Sequence, residues 1–458
     1  MQKIIITIVC AFTLIGCGVS KHCKEPQIEL PEQIVKDLPQ DSTCIADISW
    51  KKIINDSLLI DIINKTLEYN KDILVAEARV REFERLHKIK RADLVPSIDV
   101  NAYADRETLN YNGAGKDTDI EVGAKLSFSW EIDLFGRLRW SNKEAKANYL
   151  KTIEAKQALQ VCLIAEVASS YFELVGLDRE LLIVQNTLDT RKENVEQAKI
   201  RFKGGLTSEI PYQQAQVEYA KTAAMIPNLH KKIKEKENEI SFLCGSMPTD
   251  IRRSNIHSII MPDIALQIGI PSELIKRRPD IREAEQALQA AMANAGYKWA
   301  ERFPKFVFGF DVGFENDGFR NFIKSPITYL IGELAAPLFN MGKQKARYEA
   351  ALEAYDIKRL EYEKRVILAF REVNDAVNSY TAAVENCHLM ESLKHSSDKY
   401  VKLAQVQHIN GHINYLDVLD AQRSYFNAEI NHSNAIRDQF LALIDLYKSL
   451  GGGVINNQ

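Results

Sequence analysis

The residue most ready to do chemistry is Cys17. Lys3 supplies a positive charge, Ile4 to Ile15 is an apolar run too short to span a bilayer, and Leu14-Ile15-Gly16-Cys17 closes it. That tetrapeptide resembles a lipobox, where the peptide is cut before the cysteine and the thiol takes a diacylglycerol. The alternative is an ordinary secretory leader with an incidental cysteine. With the new N-terminus also acylated, three chains would anchor firmly where one holds only marginally. Gly18 stands where an aspartate would resemble an inner-membrane retention signal. Cys10 leaves with the leader, and Cys23, Cys44, Cys162, Cys244 and Cys387 are scattered without a CxxC pair, indicating neither a disulfide framework nor a zinc site. His408 and His412 are four apart, but Gly411 breaks the helix between them, and the seven methionines stand singly. No P-loop, GxSxG, HExxH or dinucleotide fingerprint occurs, and Gly451-Gly452-Gly453 reads as a helix stop. The expectation is a non-enzyme with no metal and no cofactor other than the lipid on Cys17.

The rest of the composition narrows the class. The 458 residues carry a net charge of -3, so no basic field points to nucleic acid. Downstream of the leader, no run approaches the roughly 20 uninterrupted apolar residues of a spanning helix, so a membrane crossing would have to use strands. The chain also repeats itself. Gly205, Ala215 and Gln216 recur as Gly411, Ala421 and Gln422 (411 − 205 = 206), and Tyr219 and Gly245 keep that offset with Tyr425 and Gly451. Each copy reads helix, two strands, long helix, glycine turn, long helix. Arg137 to Lys203 holds only Gly176 and no proline, and Lys343 to Asn410 holds neither residue. Unbroken, each would reach on the order of 100 Å, a length that suits a coiled coil or a tubular assembly.

The strand segments alternate. Phe306, Phe308, Phe310, Val312 and Phe314 share one face against Val307, Gly309, Asp311 and Gly313. Val122, Ala124, Leu126, Phe128 and Trp130 alternate against Gly123, Lys125, Ser127 and Ser129. Such segments, apolar outward and polar or small inward, are the signature of a transmembrane β-barrel. The lipid-facing candidates are Val122, Leu126, Phe128, Trp130, Phe306, Phe308, Phe310 and Phe314. Four strands cannot close a barrel, and an open edge cannot sit in lipid. Three protomers would supply twelve strands. A soluble sheet with one wet face is the competing reading.

Gly411-x-x-Asn414-Tyr415-Leu416-Asp417-Val418-Leu419-Asp420-Ala421-Gln422-Arg423-Ser424, Asp133-Leu134-Phe135-Gly136 and Arg277-Arg278-Pro279-Asp280-Ile281-Arg282 together resemble the TolC family of outer-membrane efflux proteins, in its OprM-like lipoprotein branch. The resemblance covers about Ser57 to Gly453. It implies a mixed α and β membrane protein: a homotrimer with a twelve-stranded barrel in the outer membrane of a Gram-negative bacterium, and a long periplasmic helical barrel. Its partners would be a periplasmic adaptor, an inner-membrane pump and outer-membrane lipid. It would be the passive, gated exit duct of a tripartite efflux system. A duct for peptide or protein secretion and a lipid-anchored coiled-coil adaptor are the alternatives.

Carried over by motif, Leu416 would form an apolar collar and Asp420 an acidic ring, with Arg423 one turn on and available to pair with Asp420. Their spacing of i, i+4 and i+7 puts them on one helix face. The blander reading is that Asp417 and Asp420 suit the first turns of a helix. Gly205, Ser208, Pro211, Gly411, Asn414 and Asp417 are the tip residues expected to meet the adaptor. The first hairpin departs from the pattern, with Pro211 in the place of Asp417 and Gln214 in that of Asp420. The expected division is a signal peptide (1–16), a tether (17–56), a first repeat (57–250, strands about 95–107 and 119–134, tip about 204–212), and a linker (251–270). A second repeat (271–453, strands about 305–316 and 326–338, tip about 409–418) and a tail (454–458) follow.

Overall fold

A computed structural model describes residues 23–29, 31, 50–53, 56–109, 117–254, 271–336 and 339–452. Cys17, the signal peptide, most of the tether, most of the linker and the 454–458 tail lie outside the described residues. Chain order is α1 (Ser57–Tyr69), α2 (Lys71–Ala92), β1 (Ser97–Leu109), β2 (Asp117–Ile132), α3 (Arg137–Lys203) and α4 (Ile210–Leu243). Then come α5 (Pro271–Arg277), α6 (Pro279–Ala300), β3 (Lys305–Asn316), β4 (Pro326–Ala335), α7 (Lys343–Ile409) and α8 (Tyr415–Ser449).

The duplication reaches backbone detail. α2 and α6 are both 22 residues long, and α3 and α7 are both 67. Gly136 and Gly342 (342 − 136 = 206) precede the long helices with φ of 78° and 79°. At the far ends, Gly205 and Gly411 have φ of 72° and 76°, a region that favours glycine. Both turns close with the same two bonds: Leu206 N–H to the Arg201 carbonyl (2.9 Å) and Gly205 N–H to Phe202 (3.0 Å), against His412 to Gln407 (2.9 Å) and Gly411 to His408 (3.0 Å).

β3 covers the range read in the sequence and β4 starts where it was read and ends three residues earlier, whereas β1 and β2 each sit two residues away from theirs. The last turn of α2 tightens, with Leu94 N–H on the Arg91 carbonyl and Val95 N–H on that of Ala92, so β1 starts at Ser97. β2 stops at Ile132 because Asp133 is taken by the next helix: its carboxylate accepts from the N–H groups of Leu138 (3.2 Å) and Arg139 (2.9 Å) at the start of α3.

Contacts divide the chain into two compact units that cut across the repeats, each drawing on both halves. One contains Ala78–Ile153 and Arg282–Lys364 and carries the sheet, four antiparallel strands in the order β1-β2-β3-β4. Below the sheet, Phe135 stacks on Phe303 at 4.6 Å, and Trp140 lies so close over Gly296 that a Cβ there would meet the indole at 2.4 Å. The start of the described tether belongs to this unit. Cys23 is buried with Leu288, Ala295, Ala351 and Tyr355, and the Tyr355 hydroxyl donates to the Lys24 carbonyl at 2.8 Å.

The other unit contains Glu29–Glu77, Glu154–Ile281 and Arg365–Gln458. Its main core gathers Leu163, Val167, Tyr171, Phe172 and Leu174 of α3 with Leu59 and Ile63 of α1, Ile240 of α4 and Phe440 of α8. Phe172 stacks on Phe440 at 4.3 Å. Full burial of side chains of this size stabilises by about 2 kcal/mol each. One stretch of α3 has a mean hydropathy of 1.4, high enough for a spanning helix, but 56% of it is buried and its apolar residues build this core. Asp56 is buried here as a junction: it caps α1 through Leu58 N–H (2.9 Å) and accepts from the Tyr171 hydroxyl (2.6 Å) and the Ser254 hydroxyl (3.1 Å).

Candidate functional site

Two parts of the molecule hold the residues singled out in the sequence: the hairpin ends of the helical unit, and the two faces of the sheet.

At the second hairpin end, α7 stops at Ile409 and α8 starts at Tyr415. Asn414 caps α8 in a reciprocal box, its side chain accepting from the backbone of Asp417 while the Asp417 carboxylate accepts from the Asn414 N–H at 3.0 Å. Leu416 is 49% exposed, and Asp420 is exposed one turn on. Arg423 does not make the expected pairing. Its guanidinium lies 2.9 Å from the Glu218 carboxylate of α4, and among the described residues no ion pair joins it to Asp420.

Glu218 is the centre of a buried cluster. Arg191 of α3 lies 3.1 Å from the Glu218 carboxylate, donates to the Glu218 carbonyl at 2.8 Å and to the Thr222 hydroxyl, and rests against the Phe426 ring of α8. Lys221 approaches to 3.6 Å from the surface. One carboxylate therefore ties α3, α4 and α8. Burial pushes the Glu218 carboxyl up, but the Arg423 contact and the charges of Arg191, Arg423 and Lys221 outweigh it, so the net direction is down. Burial likewise lowers Arg191, which Glu218 only partly offsets. A second link joins the ends: the His408 ring nitrogens lie 3.1 Å from the Ile413 carbonyl and 3.5 Å from the Arg201 guanidinium.

At the first hairpin end, Gly205 and Ser208 are exposed and Pro211 is half-buried in the first turn of α4. Glu209 stands at the cap in helical conformation and makes no side-chain capping bond. Leu206 and Ile210 are 75% and 63% exposed. Ile210 is the counterpart of Leu416 in the repeat (416 − 210 = 206).

The sheet register sorts its side chains. Phe128 pairs with Phe310, Trp130 with Phe308, Leu126 with Val312, Ile98 with Phe128 and Leu330 with Phe310. Directly paired residues share a face, so the candidates Leu126, Phe128, Trp130, Phe306, Phe308, Phe310 and Phe314 lie on one side. Val122 shares it too, but is only 5% exposed and so falls outside the exposed band. It pairs with Asn316, at the height where the turn 317–325 folds over this face. The opposite face carries Asp99, Asp105, Glu107, Asp119, Glu121, Glu131, Asp311, Glu315 and Glu333 against Lys125 and Lys305. There the Tyr103 ring lies over Gly123, where a Cβ would meet it at 2.4 Å, and its hydroxyl sits 2.8 Å from the carboxylates of both Glu121 and Glu315, which share its one proton. Lys125 reaches Asp311 at 3.7 Å.

Glu218 and Arg191 were missed in the sequence. The available signal was an acid and an arginine at otherwise small or apolar positions of long helices, an ambiguous one because most such charges are solvated. Among the described residues, no group of three or more His, Cys, Asp or Glu side chains is arranged to hold a metal.

Comparison with known proteins gives a consistent set. The model of the outer membrane efflux protein family matches residues 62–246 and 270–452. The solvent efflux pump outer membrane protein SrpC of Pseudomonas putida is 31% identical over 414 residues, 88% of this chain and 87% of that protein. The cation efflux system protein CusC of Escherichia coli O6:H1 is 26% identical over 97% of both chains. The solved outer-membrane channel OprN superposes with a TM-score of 0.85 at 27% identity, covering 94% of this chain and 99% of that one.

Proposed function

The chain belongs to the outer membrane efflux protein family, and from that premise we propose that it is the outer-membrane exit duct of an efflux pump, a passive channel and not an enzyme. It sits in the outer membrane of a Gram-negative bacterium and works with a periplasmic adaptor and an inner-membrane pump, which supply the energy. It takes no cofactor.

The observation that carries this reading is the sheet. Its four strands have an aromatic, exposed face on one side and a polar, acidic face on the other. Phe306 to Phe314 spans about 27 Å along β3, or about 21 Å of height at barrel tilt, close to the apolar band of an outer-membrane barrel. β1 and β4 are edges, and edges exposed to lipid leave unpaired amides at several kcal/mol each. Three copies close the circle with twelve strands, which makes the protein a homotrimer with the acidic face lining the lumen. Cys17 carries the lipid that anchors the N-terminus beside the barrel.

The gate lies at the hairpin ends. Three copies of the exposed Leu416 form an apolar collar, and three copies of Asp420 an acidic ring that favours cations. Arg423 acts indirectly, by tying α8 to Glu218. Gly205, Ser208, Pro211, Gly411, Asn414 and Asp417 present the ends to the adaptor.

Single-channel recording of the purified protein in planar bilayers tests duct and gate together. Wild type should conduct little and open seldom, and the Leu416→Ala, Asp420→Ala variant should open to a large, long-lived conductance. An unchanged pore would keep the duct and remove the gate. No conductance from a well-folded trimer would remove both.

A further inference from the structure

The apolar face of the sheet carries one charge. Every residue facing that way on the four strands is apolar, small or uncharged except Arg106, which pairs with Ile120 near the end of the sheet away from the helices. Its position is fixed by the register. Val122 pairs with Asn316, the last residue of β3, so Ile120 and Arg106 lie one two-residue step further on, level with the turn that follows. β1 and β3 are two strands apart, about 10 Å.

That turn, Asp317-Gly-Phe-Arg-Asn-Phe-Ile-Lys-Ser325, brings two more cations to the same edge. It folds over the apolar face rather than over the lumen. Phe322 packs on Phe314, which faces that way, with ring centroids 6.1 Å apart, and the Asn316 side chain donates to the Arg320 carbonyl at 2.7 Å. Phe319 and Ile323 remain 78% and 76% exposed, above a band of exposed Phe310, Val312 and Leu330. Arg106, Arg320 and Lys324 are exposed, and among the described residues none of them forms an ion pair; Asp317 is the only acid in the turn. The carboxylates nearest in register, Asp105, Glu107, Asp119, Glu121 and Glu315, point to the opposite face.

Charge is therefore segregated across one sheet thickness, with acids toward the lumen and cations on the lipid side of the rim. We propose that Arg106, Arg320 and Lys324 hold the phosphate of an outer-leaflet lipid headgroup, whose acyl chains lie along the apolar band while Phe319 and Ile323 enter the interface beside it. The inference rests on the duct reading, because it needs this face in lipid. Closing the circle sets β4 of one protomer beside β1 of the next. The turn of one copy is thereby brought toward Arg106 of its neighbour, giving three such sites. A diffuse cation near a lipid surface contributes a few-fold to retention, and several held on one edge multiply.

The test uses the full-length trimer in neutral detergent, loaded in parallel with bisphosphorylated lipid A and with the same lipid stripped of its phosphates. Lipid remaining after detergent exchange is counted by mass spectrometry. Wild type should retain the phosphorylated lipid in large excess. Each of Arg106→Gln, Arg320→Gln and Lys324→Gln should cut its retention about fivefold, and all three together on the order of a hundredfold. Equal retention of the two lipids by wild type, a comparison that needs no variant to fold, would overturn the proposal. So would full retention by the triple variant, or complete displacement by inorganic phosphate, which would make this an ion site and not a lipid site. Conductance of the same preparations separates the two levels: a trimer that conducts without discriminating between the lipids removes the headgroup site alone, and one that does not conduct removes the duct reading beneath it.

Discussion

The two hairpin ends share one turn and differ in how the helix that follows it begins. Gly205 and Gly411 sit 206 residues apart with φ within a few degrees and identical closing bonds. Beyond the turn, α8 begins with a reciprocal Asn414–Asp417 cap and α4 with an uncapped Glu209 and Pro211. Ile210 stands where Leu416 stands, Gln214 where Asp420 stands and Val217 where Arg423 stands. Duplication kept what the backbone requires to reverse direction. The side chains at these positions diverged. The first hairpin instead supplies Glu218, the carboxylate that holds Arg423 of the second.

The strongest way to break the comparison is to remove the anchor. Glu218→Ala leaves Arg191 buried without its carboxylate, a change expected to cost about 3 kcal/mol and to free Arg423. The melting temperature of the trimer in detergent should fall and the open probability rise. The mirror substitution at the counterpart position, Ser424→Ala, should leave both near wild type. A Glu218→Ala channel that melts earlier but stays closed would make the cluster a stabiliser with no part in gating.

The same carboxylate gives the comparison a pH dependence. Its neighbours hold Glu218 below the usual carboxylate range, so the folded state binds this proton less readily than the unfolded chain. The contribution is present above the unfolded value of about 4.3 and is lost as pH falls through the lower folded value. Open probability should therefore climb on acidification below about pH 4, and Glu218→Gln should open more readily at neutral pH and lose that part of the climb. An identical acid response in wild type and Glu218→Gln would assign the titration to another group.

How much of this was legible follows from the same contrast. Glycines at a fixed offset announced the repeat, since few other residues tolerate those φ values, and strict alternation over β2 and β3 announced the faces. The aromatic residues of the band were readable because burial in a sheet has a period of two. Glu218 and Arg191 were not, because a buried ion pair between two helices leaves no local period. The pairing of Arg423 was read by proximity along α8, to Asp420 one turn away. In the folded chain the carboxylate across the helix interface is the one that holds it. The ends of β1 and β2 were misplaced because Asp133 and the tightened turn after α2 use residues whose types suit a strand equally well.

Substituting the shared glycines sharpens the common part. At both Gly205 and Gly411 an added Cβ would have no neighbouring atom within 4 Å, so Gly205→Ala and Gly411→Ala should each cost about 1 kcal/mol from backbone conformation alone. The two losses should match in thermal melts. A clearly larger loss at one would mean that a subunit or adaptor contact, and not φ, governs that turn.

The smallest expected effect isolates the part that diverged. Asp417→Ala removes one half of a capping box and a carboxylate from the first turn of α8, a loss of about 1 kcal/mol. Glu209→Ala at the other end removes no capping bond and should stay within about 0.5 kcal/mol of wild type. Hydrogen exchange of the first-turn amides reads the difference locally. Protection should fall over residues 415–418 in Asp417→Ala and stay unchanged over 210–213 in Glu209→Ala. If the second variant loosened its helix as much as the first, the Gln213 Nε2 bond to the Glu209 carboxylate at 2.9 Å would be doing at the first hairpin end what the capping box does at the second.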